Sequence, residues 1–381
     1  MAARDSKPYA QYFYFLYLSV FVVLQCVLLC ESGYNMEGRA ETNGMFVFGS
    51  SLVDNGNNNF VNGSVAKADY FPYGIDFPLG PSGRFCNGKN MIDALGEQLK
   101  LPHYVPVFTD PMTKGKRLVH GVNYASGGSG ILDDTGSVSG RVITLNQQIR
   151  NFEEVTLPDL ETLLGCKGTE LLSNYLFVVG AGGNDYLLNY FLSGASKTIP
   201  IQDFTANLTA TLSNQLKKLH SLGARKFVLI SIYPMGYTPI VKAMCSSASE
   251  GCTGMMNQAA LLFNSRLKAL VDEIKPQMPG SNIVYINTYQ IINDIISDPA
   301  SRGFTDTINP CCEVGANGIL CKREGSACLN RNSHVFFDGL HPTEAVNVVM
   351  MERAYASNLT AEAYPFNVKT LASLSSDLQQ D

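Results

Sequence analysis

Short apolar runs alternate with longer segments in which apolar residues recur at helical spacing. Each apolar run ends in glycine or small polar residues, which is typical of strands buried on both faces of a parallel sheet. The predicted strands are residues 45–48, 121–125, 175–179, 226–232 and 282–286, and the predicted helices are residues 90–99, 144–152, 204–222, 255–274 and 343–357. This alternation predicts an α/β fold with a central, mostly parallel five-stranded sheet that helices cover on both faces.

The loops at the carboxyl ends of the first three predicted strands are rich in glycine and small polar residues. They contain Ser51, the pair Gly127 and Gly128, and Asn184. Ligands of open α/β sheets bind beyond the carboxyl ends of the strands. We therefore expect these loops to converge on one edge of the sheet and to form a site there.

The first 40 residues are interpreted as lying outside the fold. Arg4 and Lys7 precede an apolar stretch at residues 12–30, and small and polar residues follow it. This order predicts a secretory signal peptide over residues 1–32, and hence a secreted, extracellular protein without a stable membrane span after cleavage. The alternative is a membrane anchor, because a stretch of about 19 residues is long for a signal core and short for a span.

The rest of the chain contains no linker, low-complexity tract or internal repeat. We therefore predict a single domain over residues 44–360 and a C-terminal tail over residues 361–381. Asn62, Asn207 and Asn358 each begin an Asn-X-Ser/Thr sequence. Together with a signal peptide, these sequences predict N-glycosylation.

The cysteines support secretion. Eight of the ten lie outside the predicted signal peptide, at positions 86, 166, 245, 252, 311, 312, 321 and 328. An even number in an oxidising compartment predicts disulfides. The pair at 245 and 252 would close a small loop, and the last four cysteines would cross-link one long loop. Zinc is the alternative for those four, although their spacing is not that of paired C-x-x-C motifs.

Charge restricts the partners. The formal net charge is -5, charged residues make up 16% of the chain, and no basic stripe is present. A nucleic-acid partner is therefore not expected. Uncharged or lipid-like small molecules stay open as ligands, and no feature predicts the oligomeric state.

Ser51, Asp338 and His341 are the candidates for catalytic chemistry. Ser51 lies in the turn after the first predicted strand, and Asp338 precedes His341 by three residues. A nucleophile, a base and an acidic group that orients the base are the three parts of serine acyl-transfer chemistry. Of the five histidines, His341 alone has an acidic residue at a spacing that can bring both side chains to one side of a turn, and His334 is its nearest competitor.

Each candidate also has a purely structural interpretation. Ser51 is a common type of turn residue, and Asp338 is also typical of a helix N-cap next to a solvent-facing histidine. Asn184 and the pair Gly127–Gly128 either donate hydrogen bonds to an oxyanion or form ordinary turns. The chain contains no G-x-S-x-G motif, which argues against an ordinary α/β-hydrolase lipase.

Four ordered segments of this chain resemble the four sequence blocks of the GDSL esterases/lipases of the SGNH-hydrolase superfamily. The resemblance covers roughly residues 44–360, and four blocks in the same order are highly specific together. The matching segments are residues 45–59, 123–128, 182–186 and 338–343. Residues 81–89 and the late cysteines are similar to the secreted plant branch of that family.

The resemblance implies a fold and an activity. The fold would be a flavodoxin-like three-layer α/β/α sandwich, and the substrates would be esters of fatty and other acyl groups. No cofactor or metal would be needed. Ser51 would be the nucleophile, His341 the general base, and Asp338 the residue that orients His341.

The resemblance also implies an oxyanion hole. Its donors would be the backbone amide of Ser51, the side chain of Asn184 and the backbone amide of Gly128, with Gly127 as the alternative glycine.

The residue before the nucleophile departs from the family signature, because Ser50 stands where the family has aspartate. We expect a side chain at this position to brace the nucleophile turn by accepting hydrogen bonds from nearby amides. Serine does this more weakly than a carboxylate, so the departure should affect the rate more than the chemistry.

Two other functions stay open. An acyltransferase would use the same triad with an alcohol in place of water, and Ser50 alone suggests a non-enzymatic binding protein on a hydrolase scaffold. No motif encodes the acyl chain length. The aromatic-rich residues 59–73 are either part of an acyl groove or an ordinary surface loop.

Overall fold

A computed structural model describes residues 42–245 and 251–374. The predicted signal peptide lies outside these residues. The strands are β1 Gly44–Gly49, β2 Tyr175–Gly180, β3 Lys226–Ile230, β4 Asn282–Ile286, β5 Asp306–Pro310, β6 His334–Phe336 and β7 Ala363–Tyr364. The helices are α1 Met91–Gln98, α2 Leu145–Asn151, α3 Leu157–Leu164, α4 Gly168–Leu172, α5 Ile201–Ser221, α6 Pro239–Cys245, α7 Cys252–Glu273, α8 Thr288–Ser297, α9 Glu344–Ala356 and α10 Val368–Ser373, with π-helical segments at Phe152–Thr156 and Asp185–Leu192.

The main sheet has helices on both faces. Its order is β1-β2-β3-β4-β7, in which the first four strands are parallel and β7 is antiparallel to β4. Successive residues of β1 enter different cores because side chains alternate along a strand. Phe46 and Phe48 pack with α2, α5 and α7, whereas Met45 and Val47 pack with α1, α8 and α9. The predicted three-layer α/β/α fold is therefore confirmed.

Residues 121–125 do not form the predicted second strand. They run beside β1, where the Tyr124 amide donates to the Val47 carbonyl oxygen at 2.8 Å. Their pairing with β1 is nevertheless limited to a single bridge between Val47 and Asn123. Gly121 has a φ of +97°, which interrupts the extended backbone. The segment still carries its glycine loop to the carboxyl edge of β1.

The fifth strand comes instead from the predicted tail, residues 361–381. After β7, helix α10 buries Val368 and Leu371 completely, and Lys226 Nζ donates to the Ala372 carbonyl oxygen at 3.0 Å. The folded unit thus continues past the predicted boundary at residue 360. A strand of two residues is too short to produce a recognisable pattern in the sequence.

The cysteine predictions are largely confirmed. The small loop closes through a bond between Cys245 and Cys252. Disulfides also join the last four cysteines, at 311 to 328 and at 312 to 321. The zinc alternative for those four is wrong, because their sulfurs are bonded to one another in pairs. The even count does not lead to complete pairing, since Cys86 is a buried free thiol whose Sγ donates to the Gly88 carbonyl oxygen at 3.1 Å.

The surface accommodates the predicted glycosylation. Asn62, Asn207 and Asn358 are all exposed. Within residues 42–245 and 251–374, no helix has the length and apolar character required to cross a membrane.

A buried carboxylate, Asp54, connects two loops at the carboxyl edge of the sheet. Its Oδ1 accepts hydrogen bonds from the amides of Gly56 at 2.7 Å and Asn57 at 2.8 Å. Its Oδ2 accepts from the Gly127 amide at 2.9 Å. Asp54 therefore joins the turn after Ser51 to the glycine loop beside β1.

A second buried carboxylate, Asp185, performs the same task for the loop after β2. It accepts hydrogen bonds from the amides of Ile131 at 2.9 Å and Leu132 at 3.0 Å and from the Thr135 hydroxyl at 2.8 Å. Burial raises the pKa of Asp185 from 3.8 to about 6, although these hydrogen bonds oppose the shift.

The packing of α10 predicts a stability difference between two leucines. Leu371→Ala removes a fully buried side chain and should lower the free energy of unfolding by about 2–5 kcal/mol. Leu329→Ala removes the same atoms from a side chain that is 99% exposed, and we expect a change below about 0.5 kcal/mol. Urea unfolding followed by circular dichroism measures both. Equal losses would contradict the burial of α10.

The raised pKa of Asp185 predicts how stability depends on pH. Between pH 3.8 and about 6 the native state keeps a proton that the unfolded state has lost. The contribution of Asp185 therefore falls as the pH rises through this window, by up to about 3 kcal/mol. Asp185→Asn should remove that share of the slope when urea unfolding is measured at pH 4, 5, 6 and 7. Parallel stability curves for variant and wild type would refute this.

Candidate active site

Ser51 lies in a tight turn directly after β1. The Ser50 amide donates to the Gly180 carbonyl oxygen at 3.0 Å, and the Val53 amide donates to the Ser50 carbonyl oxygen at 3.1 Å. Gly49 has a φ of +139°, and a Cβ there would collide with the backbone of Gly180. Glycine is thus required where the strand breaks, and the break leaves Ser51 in the wall of a cavity at the carboxyl edge.

The three candidate catalytic residues form a continuous chain of hydrogen bonds. His341 Nε2 lies 2.8 Å from Ser51 Oγ. His341 Nδ1 lies 2.8 Å from Asp338 Oδ2 and 3.0 Å from Oδ1. Ser51 and His341 are 290 residues apart in the sequence, so the fold brings them together.

The carboxylate of Asp338 is completely buried and fully engaged. Its Oδ1 accepts hydrogen bonds from the amides of Leu340 at 2.8 Å and His341 at 2.6 Å. Its Oδ2 accepts a hydrogen bond from the Tyr73 hydroxyl at 2.6 Å. Burial and the nearby Asp338 charge raise the pKa of Tyr73 well above its usual value, so Tyr73 stays a donor.

The His341 ring is held between Asp338 and an aromatic side chain. The Phe85 ring lies 4.9 Å from the imidazole, centroid to centroid. His334, the competing histidine, lies elsewhere, with Nε2 at 3.8 Å from Asp306 Oδ2. His341 is therefore the histidine that contacts Ser51.

Asn184 lies beside Ser51, whereas the two glycines differ from each other. Asn184 lines the same cavity as Ser51, and one N–H of its amide group donates to the Ser129 carbonyl oxygen at 2.9 Å. An asparagine amide has a second N–H, which this contact leaves free. The Gly127 amide is taken by Asp54. The Gly128 amide makes no hydrogen bond with any described residue, but Gly128 is not part of the cavity wall.

Ser50 does not brace the turn in the expected way. Its hydroxyl makes only a long contact of 3.5 Å, as a donor to the Gly180 carbonyl oxygen. Among the described residues no amide donates to it. The amides of this turn donate to backbone carbonyl oxygens instead, Ser50 to Gly180 and Val53 to Ser50, so the turn forms without a side-chain acceptor at position 50.

The cavity next to Ser51 is mainly apolar, and its walls were not predicted from the sequence. Its larger apolar side chains are Leu52, Leu187, Ile230, Ile232, Tyr233, Met235 and Leu340. The aromatic-rich residues 59–73 were a candidate for part of an acyl groove, but none of them lines this cavity. Tyr73 is buried against Asp338 instead. Many of the wall residues come at or directly after the ends of β2 and β3 in the sequence. The predicted strand ends were therefore the signal from which these residues could have been found.

This arrangement is suited to nucleophilic chemistry. A serine hydroxyl in contact with an imidazole can lose its proton as it attacks, and a buried carboxylate on the other ring nitrogen stabilises the imidazolium. The largely apolar lining of the cavity favours an apolar group over a charged one.

Comparison with known proteins agrees with the four sequence blocks. The family model described as GDSL-like lipase/acylhydrolase matches residues 45–354. Three relatives from Arabidopsis thaliana match nearly their full length. GDSL esterase/lipase At1g29660 is 37% identical (91% of this chain, 96% of the relative), At1g29670 is 39% identical (91% and 97%), and At1g71250 is 40% identical (95% and 96%).

The matched residues include β1 with Ser51, the Asn184 loop and the segment with Asp338 and His341. The resemblance found in the sequence is thereby confirmed, and the chain belongs to the GDSL-like lipase/acylhydrolase family, a family of carboxylic ester hydrolases.

Proposed function

We propose that this protein hydrolyses carboxylic esters with apolar acyl groups through an acyl-enzyme formed on Ser51. The observation that carries the proposal is the hydrogen-bond chain from Ser51 Oγ through His341 to the buried Asp338. His341 Nε2 takes the hydroxyl proton as Ser51 Oγ attacks the ester carbonyl. The imidazolium then protonates the departing alcohol, and a water molecule activated by His341 releases the acid.

The tetrahedral intermediate requires donors for its oxyanion. We assign this role to the free N–H of Asn184, the Ser51 amide and the Gly128 amide. The two amides make no hydrogen bond with any described residue, which supports the assignment. Ser51 and Asn184 also line the cavity, whereas Gly128 lies outside its wall. Gly127 is the poorer candidate, because its amide already donates to Asp54.

The acyl chain would occupy the cavity next to Ser51, whose walls include Leu187, Ile232 and Met235. The relatives named above carry the name esterase/lipase, which agrees with an acyl ester as the substrate. Secretion through the predicted signal peptide is part of the proposal. The disulfides among the last four cysteines and the exposed glycosylation sequences support secretion.

Removal of the nucleophile should abolish turnover. We expect Ser51→Ala to lower kcat for p-nitrophenyl butyrate by roughly 10⁵-fold, as for other serine hydrolases that lose the nucleophile. Ser221→Ala, which removes an exposed helix hydroxyl, is the matched control and should keep wild-type activity. Rates on acetate, butyrate and palmitate esters would give the chain-length preference.

The neighbouring serine tests the assignment. Ser50→Ala should retain most of the activity, because its hydroxyl makes only the 3.5 Å contact. An inactive Ser50→Ala beside an active Ser51→Ala would move the nucleophile to position 50. If added alcohol diverted the acyl group from water in the wild type, the protein would act as a transferase.

Loss of the Asn184 side chain should slow the chemical step. We expect Asn184→Ala to lower kcat by about 10²–10³-fold with little change in KM, because an oxyanion donor acts mainly in the transition state. Asn189→Ala is the matched control, since Asn189 bonds Asp134 and Thr135 away from the cavity. Equal effects of the two variants on kcat would exclude Asn184 from the oxyanion hole.

A further inference from the structure

The catalytic carboxylate is held from outside its own segment by one buried hydroxyl. The Tyr73 hydroxyl donates to Asp338 Oδ2 at 2.6 Å. Asp338 Oδ1 is held by two local amides, but Oδ2 has only Tyr73 and His341 as partners among the described residues. Tyr73 therefore decides how the oxygen nearest to His341 Nδ1 is oriented.

The direction of the Tyr73 hydroxyl is itself fixed. Its oxygen accepts a hydrogen bond from the Cys321 amide at 3.0 Å. A hydroxyl that accepts from an amide on one side turns its proton to the other side, here toward Asp338. The ring is completely buried and packs against Phe85 and Phe337, with centroids at 6.1 and 5.7 Å. Tyr73 thus has little freedom to turn away.

The Cys321 amide belongs to a hairpin that the Cys312–Cys321 disulfide closes. This hairpin contacts the residues on both sides of Asp338. The Cys312 amide donates to the carbonyl oxygen of Phe337, the residue before Asp338, at 2.8 Å. The bond from Cys312 to Cys321 then connects this point with the donor to Tyr73. The Gly339 amide donates to the Ile319 carbonyl oxygen at 2.8 Å on the other side of Asp338.

We propose that Tyr73 is a positioning residue for ester hydrolysis, and that the Cys312–Cys321 disulfide acts on the catalytic carboxylate through it. The proposal rests on the proposed function. Without the Tyr73 hydroxyl, Oδ2 loses its donor from outside the histidine segment, and only the two amides on Oδ1 hold the carboxylate, so the productive orientation is occupied less often. The negative charge of Asp338, which the Tyr73 hydroxyl had partly neutralised, then acts on the His341 ring alone and favours the imidazolium.

The pH dependence of catalysis can report this change because Asp54 and Asp185, whose pKa values burial raises to about 6, contact neither Asp338 nor His341 and so act alike in wild type and variant. The titratable groups facing Asp338 are His341, Tyr70, Tyr73 and Tyr233. Burial raises the pKa of each of the three tyrosines above its usual value. The readout is therefore a shift of the acidic limb of the activity profile between the wild type and a Tyr73 variant.

Tyr73→Phe tests the proposal with the ring packing preserved. We expect kcat for p-nitrophenyl butyrate to fall about tenfold, as for a lost hydrogen bond to a charged group. KM should stay unchanged, and the acidic limb should move to higher pH. Tyr190→Phe is the matched control, because it also removes a buried hydroxyl bond, to the Ile199 carbonyl oxygen at 2.8 Å, but away from the triad. Thermal unfolding of both variants gives their folded fraction.

Identical kcat and pH profiles for wild type and Tyr73→Phe would overturn the proposal. Equal losses in Tyr73→Phe and Tyr190→Phe that follow the folded fraction would overturn it as well. A proton NMR measurement of the His341 Nδ1–H resonance in the Ser51→Ala background needs no activity. The resonance should shift on Tyr73→Phe and not on Tyr190→Phe. A wild type inactive on every ester would refute the proposed function, while this NMR comparison would still test Tyr73.

The disulfide is tested by a double-mutant cycle. The paired change Cys312→Ala and Cys321→Ala should lower kcat severalfold in the wild type and much less in Tyr73→Phe, because effects on one shared path are not additive. The same fold-loss in both backgrounds would show that the disulfide acts independently of Tyr73 and would overturn that part of the proposal.

Discussion

A carboxylate buried in a protein must be met by donors, because an isolated charge in a medium of low polarity is strongly unfavourable. Asp54, Asp185 and Asp338 are all completely buried at or near the carboxyl edge of the sheet. Each collects its donors from loops that no regular secondary structure holds in place. The organisation of this edge depends on these three carboxylates.

The donors come from distant parts of the chain. Asp54 joins the turn after Ser51 to the Gly127 amide, 73 residues further on. Asp185 joins the segment after Asn184 to residues 131–135, and Asp338 joins the histidine segment to Tyr73, which precedes it by 265 residues. Satisfying each charge therefore also brings two loops of the site into contact, and the parallel sheet provides the common edge on which they meet.

The nucleophile turn at Ser50 is held differently, by backbone acceptors. The family signature places an acidic residue there, but the amides of Ser50 and Val53 in this turn donate to backbone carbonyl oxygens. The turn can therefore form with a small neutral residue next to Ser51. The hairpin of the late cysteines contacts the chain on both sides of Asp338.

Much of this architecture could be predicted from the sequence. Four of the five predicted strands, the long helices and the presence of disulfides among the late cysteines, though not their pairing, follow from local pattern and spacing. The sequence alone also singles out Ser51, Asp338, His341 and Asn184. These features are local, since each depends on residues within one turn, one strand or one motif. Other features were decided only by the tertiary structure. They are the short strand β7, the irregular segment at residues 121–125, the free thiol of Cys86, the walls of the cavity and the contact of Tyr73 with Asp338. Each depends on which distant segments pack together and on which donors satisfy a buried charge. The local pattern of residues along the chain does not specify these long-range contacts.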